Sequence, residues 1–387
     1  MFRKVCIVTG ARSEYGLLSA LMKTLQCDEF VELQVIATGM HLSPEFGLTY
    51  LEIEKDGFTI DEKIEMVVSS DTSVGVVKSI GLGLIGFADS YNRLAPDIVV
   101  VLGDRYEAFA AAQSATIMNI PVAHLHGGEV TEGAVDESLR HAITKLSHLH
   151  FVSTEEFRQR VIQLGENPEN VVISGALGVD SIKRMELLSR SELEDALDIS
   201  FMDGCILVTY HPVTLSPSSE EERVSSLLSS LEKYSEYRIV ITYPNADAGG
   251  RAIVSLLKKF AAKAPSNTTL VESLDYRTFV SLMSVAEIVV GNSSSGLIEA
   301  PCFSIPTVNI GDRQKGRPLA SSVLSCQDDE QSIQTAMDRA LSNEFRQSCR
   351  DVDNPYGRGD AVKEIVSVLK SVSLDGLVRK SFYDVLP

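Results

Sequence analysis

The sequence predicts an α/β protein built from two doubly wound parallel sheets. Short apolar runs alternate with helical patterns along all 387 residues, which is typical of βαβ units. Several of these runs end in glycine and then polar residues, as expected where buried parallel strands reach the ligand-binding edge of a sheet. The chain is long for one hydrophobic core and comfortable for two domains.

Eleven strands are predicted, covering residues 5–9, 33–38, 97–102, 121–125, 148–153, 171–174, 205–210, 238–243, 268–271, 287–290 and 307–310. The interval 175–178 is the expected boundary, so that residues 1–175 form the first domain and 176–359 the second. The tail, 360–387, starts with an amphipathic helical pattern, and we expect this helix to pack back on the first domain.

Composition excludes several kinds of partner. The net charge of −18 argues against binding to nucleic acid or to an anionic membrane surface, because both require a basic surface. A small phosphate-bearing substrate is still compatible with this charge, since a few arginines can hold it. The six cysteines form no Cys-x-x-Cys pair. Together with the absence of signal-peptide and membrane-span patterns, they favour a cytoplasmic protein.

Three carboxylates follow predicted strands of the first domain. Asp104 comes directly after the strand 97–102, Glu129 follows the strand 121–125, and Asp136 opens a predicted helix. Because parallel strands deliver their carboxyl ends to one edge, these acids are expected in one crevice, where they suit proton transfer. Asp136 and Arg140 are four residues apart, which fits either a surface ion pair or an acid and base directed at a substrate.

Two glycine-containing turns are candidates for binding an anion. Gly10 and Arg12 follow the first strand at the start of a helix, where backbone N–H groups attract phosphate. The alternative is a tight turn with a solvated arginine. In the second half, Ser294, Ser295 and Glu299 stand in a similar place. Their hydroxyls either cap the helix or bind a diphosphate, with the glutamate accepting from ribose.

Three further loops of the second half carry candidate groups. His211 ends the strand 205–210, Asn245 follows the strand 238–243, and Arg313 lies in a basic loop, 311–317. Each has a plainer interpretation: a loop histidine, an Asx turn and a solvated charge cluster. His124 and His126 are spaced as metal ligands on one strand face, but further ligands are lacking, so no metal is expected.

Taken together, seven blocks resemble the hydrolysing UDP-N-acetylglucosamine 2-epimerase family of bacterial sialic acid and legionaminic acid biosynthesis. They occur in the family's order at residues 9–16, 38–41, 103–107, 126–129, 136–141, 291–296 and 311–317. The resemblance implies a GT-B-type fold, two doubly wound Rossmann-like domains facing a central cleft. It also implies that UDP binds mainly to the second domain and that the sugar contacts the first.

The resemblance assigns roles position by position. It implies that the catalytic acid/base residues are Asp104, Glu129, Asp136 and His211. It implies that the nucleotide or phosphate contacts are Arg12, Asn245, Ser294, Ser295, Glu299 and Arg313. His41 and Arg140 would lie on the sugar side. Neither a cofactor nor a metal is implied.

The implied reaction converts UDP-N-acetylglucosamine and water to N-acetylmannosamine and UDP, by anti-elimination and addition of water. The alternative substrate within the family is UDP-2,4-diacetamido-2,4,6-trideoxyglucose. More remote alternatives are a GT-B glycosyltransferase, which would need an acceptor, and a nucleotide-sugar sensor without turnover, which would not need three convergent carboxylates. We also expect a homo-oligomer, either a dimer or a tetramer.

Overall fold

The computed structural model describes residues 2–68, 72–201, 204–213, 219–244, 250–272 and 274–385. The chain divides into two compact units, each built around one parallel sheet. The first unit comprises Met1–Glu129, Asp136–Lys183 and Tyr356–Pro387, and the second comprises Val130–Val135 and Arg184–Pro355. The predicted fold class, two doubly wound parallel sheets, is therefore confirmed.

The first sheet has seven strands in the order β3-β2-β1-β4-β5-β6-β7, and every neighbouring pair is parallel. Its strands are β1 Arg3–Thr9, β2 Val31–Thr38, β3 Glu62–Ile64, β4 Ile98–Leu102, β5 Val122–Leu125, β6 Leu149–Val152 and β7 Val171–Ile173. Six of them were predicted from the sequence. The exception is the three-residue edge strand β3.

The second sheet has six parallel strands in the order β10-β9-β8-β11-β12-β13. They are β8 Cys205–Thr209, β9 Arg238–Thr242, β10 Thr268–Val271, β11 Ile288–Gly291, β12 Thr307–Ile310 and β13 Val323–Cys326. Five of them were predicted, and the edge strand β13 was not. In each sheet the strand order reverses once, between β1 and β4 and between β8 and β11, and these switch points are where open α/β sheets bind ligands.

Helices connect the strands. Those of the first unit are α1 Arg12–Gln26, α2 Tyr50–Lys55, α3 Ser73–Leu94, α4 Tyr106–Ile117, α5 Val135–Leu146, α6 Glu155–Gln163, α7 Leu177–Arg184 and α15 Ala361–Ser371. Those of the second unit are α8 Arg190–Leu197, α9 Glu220–Leu231, α10 Gly250–Lys263, α11 Tyr276–Ser284, α12 Ser295–Ile298, α13 Glu330–Leu341 and α14 Asn343–Ser348. Helix α5 begins where the sequence predicted, and this places Asp136 in its first turn.

The C-terminal helix α15 is part of the hydrophobic core of the first unit. Its residues Ile365 and Leu369 belong to the same buried cluster as Leu21 and Leu25 of α1. At its start, the N–H of Val362 donates to a carboxylate oxygen of Asp180 at 2.9 Å. The chain therefore returns to the first unit after completing the second.

Helix α3 combines one buried face with one exposed apolar face. Phe87 and Tyr91 are buried against the first sheet, whereas Val77 and Ile85 are 68% and 66% exposed. Among the described residues, α3 is the one helix whose length and composition would suffice to cross a membrane, with a mean hydropathy of 1.2. Its buried face is that of a core helix, because apolar side chains of the sheet pack against it.

Candidate functional site

In the first unit, three of the predicted site residues are linked through one buried arginine and one histidine. Arg140, on α5, forms an ion pair with Asp104, which follows β4. The same guanidinium donates from Nη1 to the carbonyl of His126 at 2.8 Å. The His126 ring in turn pairs through Nδ1 with Oε1 of Glu129 at 2.7 Å. The structure thus brings Asp104, Glu129 and Arg140 together, and we call these three residues and His126 the carboxylate cluster.

Burial and charge make Arg140 the electrostatic centre of this cluster. The residue is only 4% exposed, so its interaction with Asp104 is not a surface ion pair. Burial works to lower the pKa of Arg140, but the nearby charges of Asp104, Glu129, Glu137 and Asp136 outweigh it and raise the pKa. Asp136 is half-buried in the first turn of α5, one helical turn before Arg140.

His126 positions Glu129 through a local turn. Its backbone has φ 62°, so the chain leaves the line of β5, and the expectation that His124 and His126 share a strand face is wrong. His126 Nε2 accepts from the N–H of Leu177 at 3.3 Å, which leaves Nδ1–H to donate to Glu129. Ser153 adds a second donor to the same carboxylate oxygen at 3.3 Å.

A further carboxyl group lies buried beside the carboxylate cluster, at the end of β1. Glu14 accepts the N–H of Gly10 at 2.7 Å. Burial raises the pKa of Glu14 to about 7, and the charge of Glu107 adds to this, although Arg105 opposes it. Since this side chain already occupies the Gly10 N–H, that turn has one fewer donor for an external anion.

Two predicted ligand contacts of the first unit have partners within the protein. Arg12 forms an ion pair with Glu52, with Nε 2.7 Å from Oε2. His41 is fully buried, and its two ring nitrogens lie 3.0 Å from Oγ1 of Thr9 and 2.7 Å from Oγ1 of Thr49. Burial lowers the pKa of His41 to about 3, so its ring is neutral. Their roles in substrate binding stay predictions.

In the second unit, the loops after β8 and β11 are joined by one side chain. The carboxamide of Asn292 accepts from the N–H of His211 at 2.7 Å and donates to the carbonyl of His211 at 2.8 Å. The main-chain carbonyl of Asn292 accepts hydrogen bonds from the side chains of Arg313 at 3.1 Å and Gln314 at 2.8 Å. We call these four residues the amide cluster; it brings His211 and Arg313 to the same switch point.

The serine loop continues directly from Asn292. Ser294 is the residue before α12 and makes no side-chain capping bond, so the pure capping interpretation is wrong for this serine. Ser295 opens α12, and its hydroxyl lies 2.9 Å from that of Ser293. Glu299 ends this short helix and is 6% exposed. Asn245, the remaining predicted contact, lies outside the described residues.

The segment between Glu129 and Asp136 belongs to the second unit. The N–H of Glu132 donates to the carbonyl of Arg313 at 3.0 Å. Arg317 donates from Nε to the carbonyl of Val130 at 2.6 Å. The basic loop is therefore partly engaged in hydrogen bonds rather than fully solvated.

Sequence reasoning missed the connecting residues of both clusters. His126 was considered only as a metal ligand, and Asn292 was part of a block without a role of its own. The available signal was position, because each follows directly after a strand at a predicted ligand-binding edge. Among the described residues, no group of three or more His, Cys, Asp and Glu is arranged to hold a metal.

Comparison with known proteins identifies the family to which the chain belongs. The family model described as UDP-N-acetylglucosamine 2-epimerase matches residues 23–370. A Campylobacter jejuni protein named GDP/UDP-N,N'-diacetylbacillosamine 2-epimerase (hydrolyzing) is 41% identical over 383 residues, 99% of each chain. An Escherichia coli protein named Polysialic acid biosynthesis protein P7 is 34% identical over 385 residues, 99% of this chain and 98% of that one.

Among solved structures, the UDP-GlcNAc 2-epimerase from Neisseria meningitidis bound to UDP-GlcNAc superimposes with a TM-score of 0.80. The match covers 95% of this chain and 99% of that one at 21% identity. The fold is therefore of the GT-B type, and the family match makes the chain an enzyme acting on a UDP-sugar. Within that class, it belongs to the family of hydrolysing UDP-sugar 2-epimerases. The predicted family and fold class are confirmed.

Proposed function

We propose that the chain converts UDP-2,4-diacetamido-2,4,6-trideoxyglucose and water to UDP and the free C2-epimeric sugar. The supporting observation is the 41% identity, over 99% of both chains, with a relative named for N,N'-diacetylbacillosamine, which is this diacetamido sugar. UDP-N-acetylglucosamine, which the sequence analysis placed first, is the second candidate, because the family as a whole is described by that substrate. Its product would be N-acetylmannosamine.

We assign the proton transfers to the carboxylate cluster and Asp136. One carboxylate removes the proton from C2 while the C1–O bond breaks and its electron pair leaves with UDP, giving a 2-acetamidoglycal. Water then adds to C1 and loses a proton to a base, and C2 receives a proton on the opposite face. Asp104, Glu129 and Asp136 supply three carboxyl groups for these acid and base steps.

We assign the departing diphosphate to the second unit. Arg313 and His211 of the amide cluster, with Ser294 and Ser295, bring a guanidinium, an imidazole ring and hydroxyl groups to one switch point. A donor whose interaction strengthens as negative charge develops on the leaving oxygen lowers the barrier. Arg12 and Glu299 are proposed as additional nucleotide contacts, as is Asn245, and His41 remains a proposed contact on the sugar side.

The experiment that tests this reaction follows both substrates by NMR in D2O. The expected products are UDP and a free sugar that carries deuterium at C2, because the C2 proton is exchanged during elimination and addition. In 18O-labelled water the sugar should carry the label at C1. Retention of the original hydrogen at C2 would exclude the elimination mechanism.

The same assay ranks the two substrates. We expect a higher kcat/KM for UDP-2,4-diacetamido-2,4,6-trideoxyglucose than for UDP-N-acetylglucosamine. A site built to bind the 4-acetamido group leaves polar groups unpaired when the analogue lacks it. The reverse order of kcat/KM would return the assignment to UDP-N-acetylglucosamine.

Carboxylate variants test the residues. Asp104→Asn, Glu129→Gln and Asp136→Asn should each lower kcat roughly 10²-fold or more, as expected for loss of a positioned acid or base, with little change in UDP affinity. Asp97→Asn is a matched control, because Asp97 is exposed at the opposite end of β4, where its carboxylate accepts the main-chain N–H of Lys4 at 2.8 Å. A normal kcat in any of the three variants removes that residue from the assignment.

We also propose that the enzyme works in the cytoplasm as a dimer with a second copy of this chain. All six cysteines are free thiols, as in a reducing compartment. The dimer surface would be the exposed face of α3, where Val74, Val77, Leu82 and Ile85 are 46–68% exposed along a helix of 22 residues. Exposed apolar side chains in one contiguous stripe indicate an interaction surface.

Charge on α3 favours self-pairing over a membrane. In an antiparallel pair whose two-fold axis passes between Leu82 and Ile85, Lys78 of each copy approaches Asp89 of the other, and both are exposed. An anionic bilayer would instead be repelled by a chain of net charge −18. Val77→Glu should convert the dimer to a monomer in sedimentation equilibrium, whereas Ile173→Glu, at the opposite sheet edge, should not. A wild-type monomer, or binding to vesicles through α3, would overturn the dimer.

A further inference from the structure

Asn292 is connected to three different loops of the second unit, and it is 1% exposed. Its side chain binds both backbone groups of His211, and its own N–H donates to the carbonyl of Thr209 at 3.1 Å. Its main-chain carbonyl, an acceptor that any residue at this position would have, accepts from the side chains of Arg313 and Gln314. The loops after β8, β11 and β12 are therefore joined at a single residue.

The two side-chain bonds to His211 require a carboxamide. Pairing with both the N–H and the C=O of one residue needs an acceptor and a donor in the same planar group, which a carboxamide provides and a carboxylate does not. The close approach is built into the preceding strand end: Gly291 has φ 142°, and a Cβ there would lie 1.9 Å from the carbonyl oxygen of Thr209. The backbone thus brings β11 against β8 where the two bonds form.

Two other side chains support the same turn from its far side. The N–H of Val213 donates to Glu220 at 2.6 Å, and Glu220 is paired with the buried Arg223. The backbone from His211 to Val213 is consequently held at both ends. Since Pro212 between them has a restricted φ, the direction in which the His211 side chain leaves the backbone is set by Asn292 at one end and Glu220 at the other.

We propose that Asn292 is a positioning residue that does not touch the substrate itself. Its carboxamide orients His211 toward the leaving diphosphate, and the same two bonds fix the place of its main-chain carbonyl, which in turn positions Arg313. This inference rests on the proposed function for its effect on turnover. Its geometric part, the coupling of His211 to Arg313, concerns UDP binding and does not depend on which sugar is turned over.

The kinetic test uses Asn292→Asp and Asn292→Ala. Each should lower kcat roughly 10²-fold with a much smaller change in KM, as expected when a reacting group is misplaced by about 1 Å. In the His211→Ala background, Asn292→Ala should cause no further loss of kcat, because its effect acts through His211. Full additivity of the two changes would overturn the proposal.

A control separates positioning from general damage to the fold. Asn309, on the neighbouring strand β12, pairs with Gly291 across the sheet and is 3% exposed, with a side-chain bond to Ser325 at 3.2 Å. Asn309→Ala should lower the melting temperature about as much as Asn292→Ala while leaving kcat unchanged. Gln314→Ala, which removes one of two donors to the Asn292 carbonyl, gives a milder variant if Asn292→Ala does not fold.

Titration of UDP distinguishes failure of this inference from failure of the proposed reaction. If the enzyme turns over neither sugar, calorimetry with UDP alone still measures how strongly the effects of Asn292 and Arg313 on UDP affinity depend on each other. Asn292→Ala should weaken UDP binding slightly and Arg313→Ala more strongly, and the double variant should bind UDP no more weakly than Arg313→Ala alone. Additive losses of affinity would show that the two residues act independently and would overturn the proposal.

Discussion

Replacing Glu14 by glutamine should stabilise the protein at alkaline pH. The carboxyl group lies at the end of β1, is 8% exposed and has a pKa raised by burial from 4.5 to about 7. The unfolded chain releases this proton near pH 4.5, whereas the folded chain keeps it until pH 7. The free energy of unfolding therefore falls with rising pH across this interval.

The magnitude follows from the shift in pKa. A difference of about 2.5 pKa units corresponds to roughly 3 kcal/mol of stability, present below pH 4.5 and lost as the pH rises through 7. Glutamine keeps an oxygen that can accept the Gly10 N–H but carries no charge. The stability of the Glu14→Gln variant should therefore exceed that of the wild type at pH 8 by about 3 kcal/mol more than at pH 4.5.

Urea unfolding at pH 5, 6.5 and 8, followed by circular dichroism, measures this difference. Amide hydrogen exchange in β1 and α1 assigns it to the first unit, because local and global opening are then separated. Glu29→Gln is the matched control: the same substitution at an exposed site after α1. If the difference between the Glu14 variant and the wild type is the same at all three pH values, Glu14 is ionised at pH 7 and the reasoning is refuted.

Three further perturbations have expected outcomes in the same unfolding assay. Glu166→Gln should lower stability at pH 7 by about 3 kcal/mol, because burial is outweighed by His150 and two lysines and the pKa of Glu166 is lowered to about 2. This loss should shrink as the pH falls from 4.5 toward 2. Arg140→Met should cost about 3–5 kcal/mol by leaving Asp104 without its cation, and Arg140→Lys should recover part of it. Gly291→Ala should cost about 3 kcal/mol or more, since its Cβ would meet a backbone oxygen; a melting temperature equal to the wild type's would refute that clash.

The inner strands of both sheets were all predicted from the sequence, as were the two edge strands β7 and β10. In β4, all five residues from Ile98 to Leu102 are buried, so the whole run is apolar and stands out from its surroundings. The missed strands β3 and β13 are edge strands, of three and four residues, and β3 reads Glu-Lys-Ile with one buried residue. An edge strand needs few apolar side chains, so composition does not mark it.

Helix α3 shows a different limit of local reasoning. Its four glycines argue against a helix of 22 residues by intrinsic propensity. The structure explains one of these glycines. A Cβ at Gly86 would lie 2.4 Å from a methyl carbon of Ile64, so the glycine allows the helix to approach β3 closely. Tertiary packing outweighs propensity here, and it depends on a strand that the sequence pattern did not reveal.

The candidate site was predictable as a set of loops but not as a set of partners. The position of Asp104 after a buried strand followed from alternation along the chain. The sequence suggested Asp136, on the same helix, as the partner of Arg140. The structure pairs Arg140 with Asp104, which lies 36 positions away. Likewise, the partner of Arg12 is Glu52, 40 positions away. Such pairings are set by how helices pack on the sheet, which no local pattern encodes.

The two switch points differ in chemistry in a way that bears on the proposed reaction. Around β4 and β5 the loops carry carboxyl groups, one of them shared with a buried arginine, and these can exchange protons. The loops after β8, β11 and β12 carry donors instead: an amide, hydroxyls and a guanidinium, groups of the kind that bind anions. An elimination needs a base at C2 and donors at the leaving oxygen of C1, so it requires both kinds of loop. A sensor of nucleotide sugars would need only the second, and loss of turnover without loss of UDP binding in the Asp104→Asn variant would therefore separate an enzyme from a binding protein.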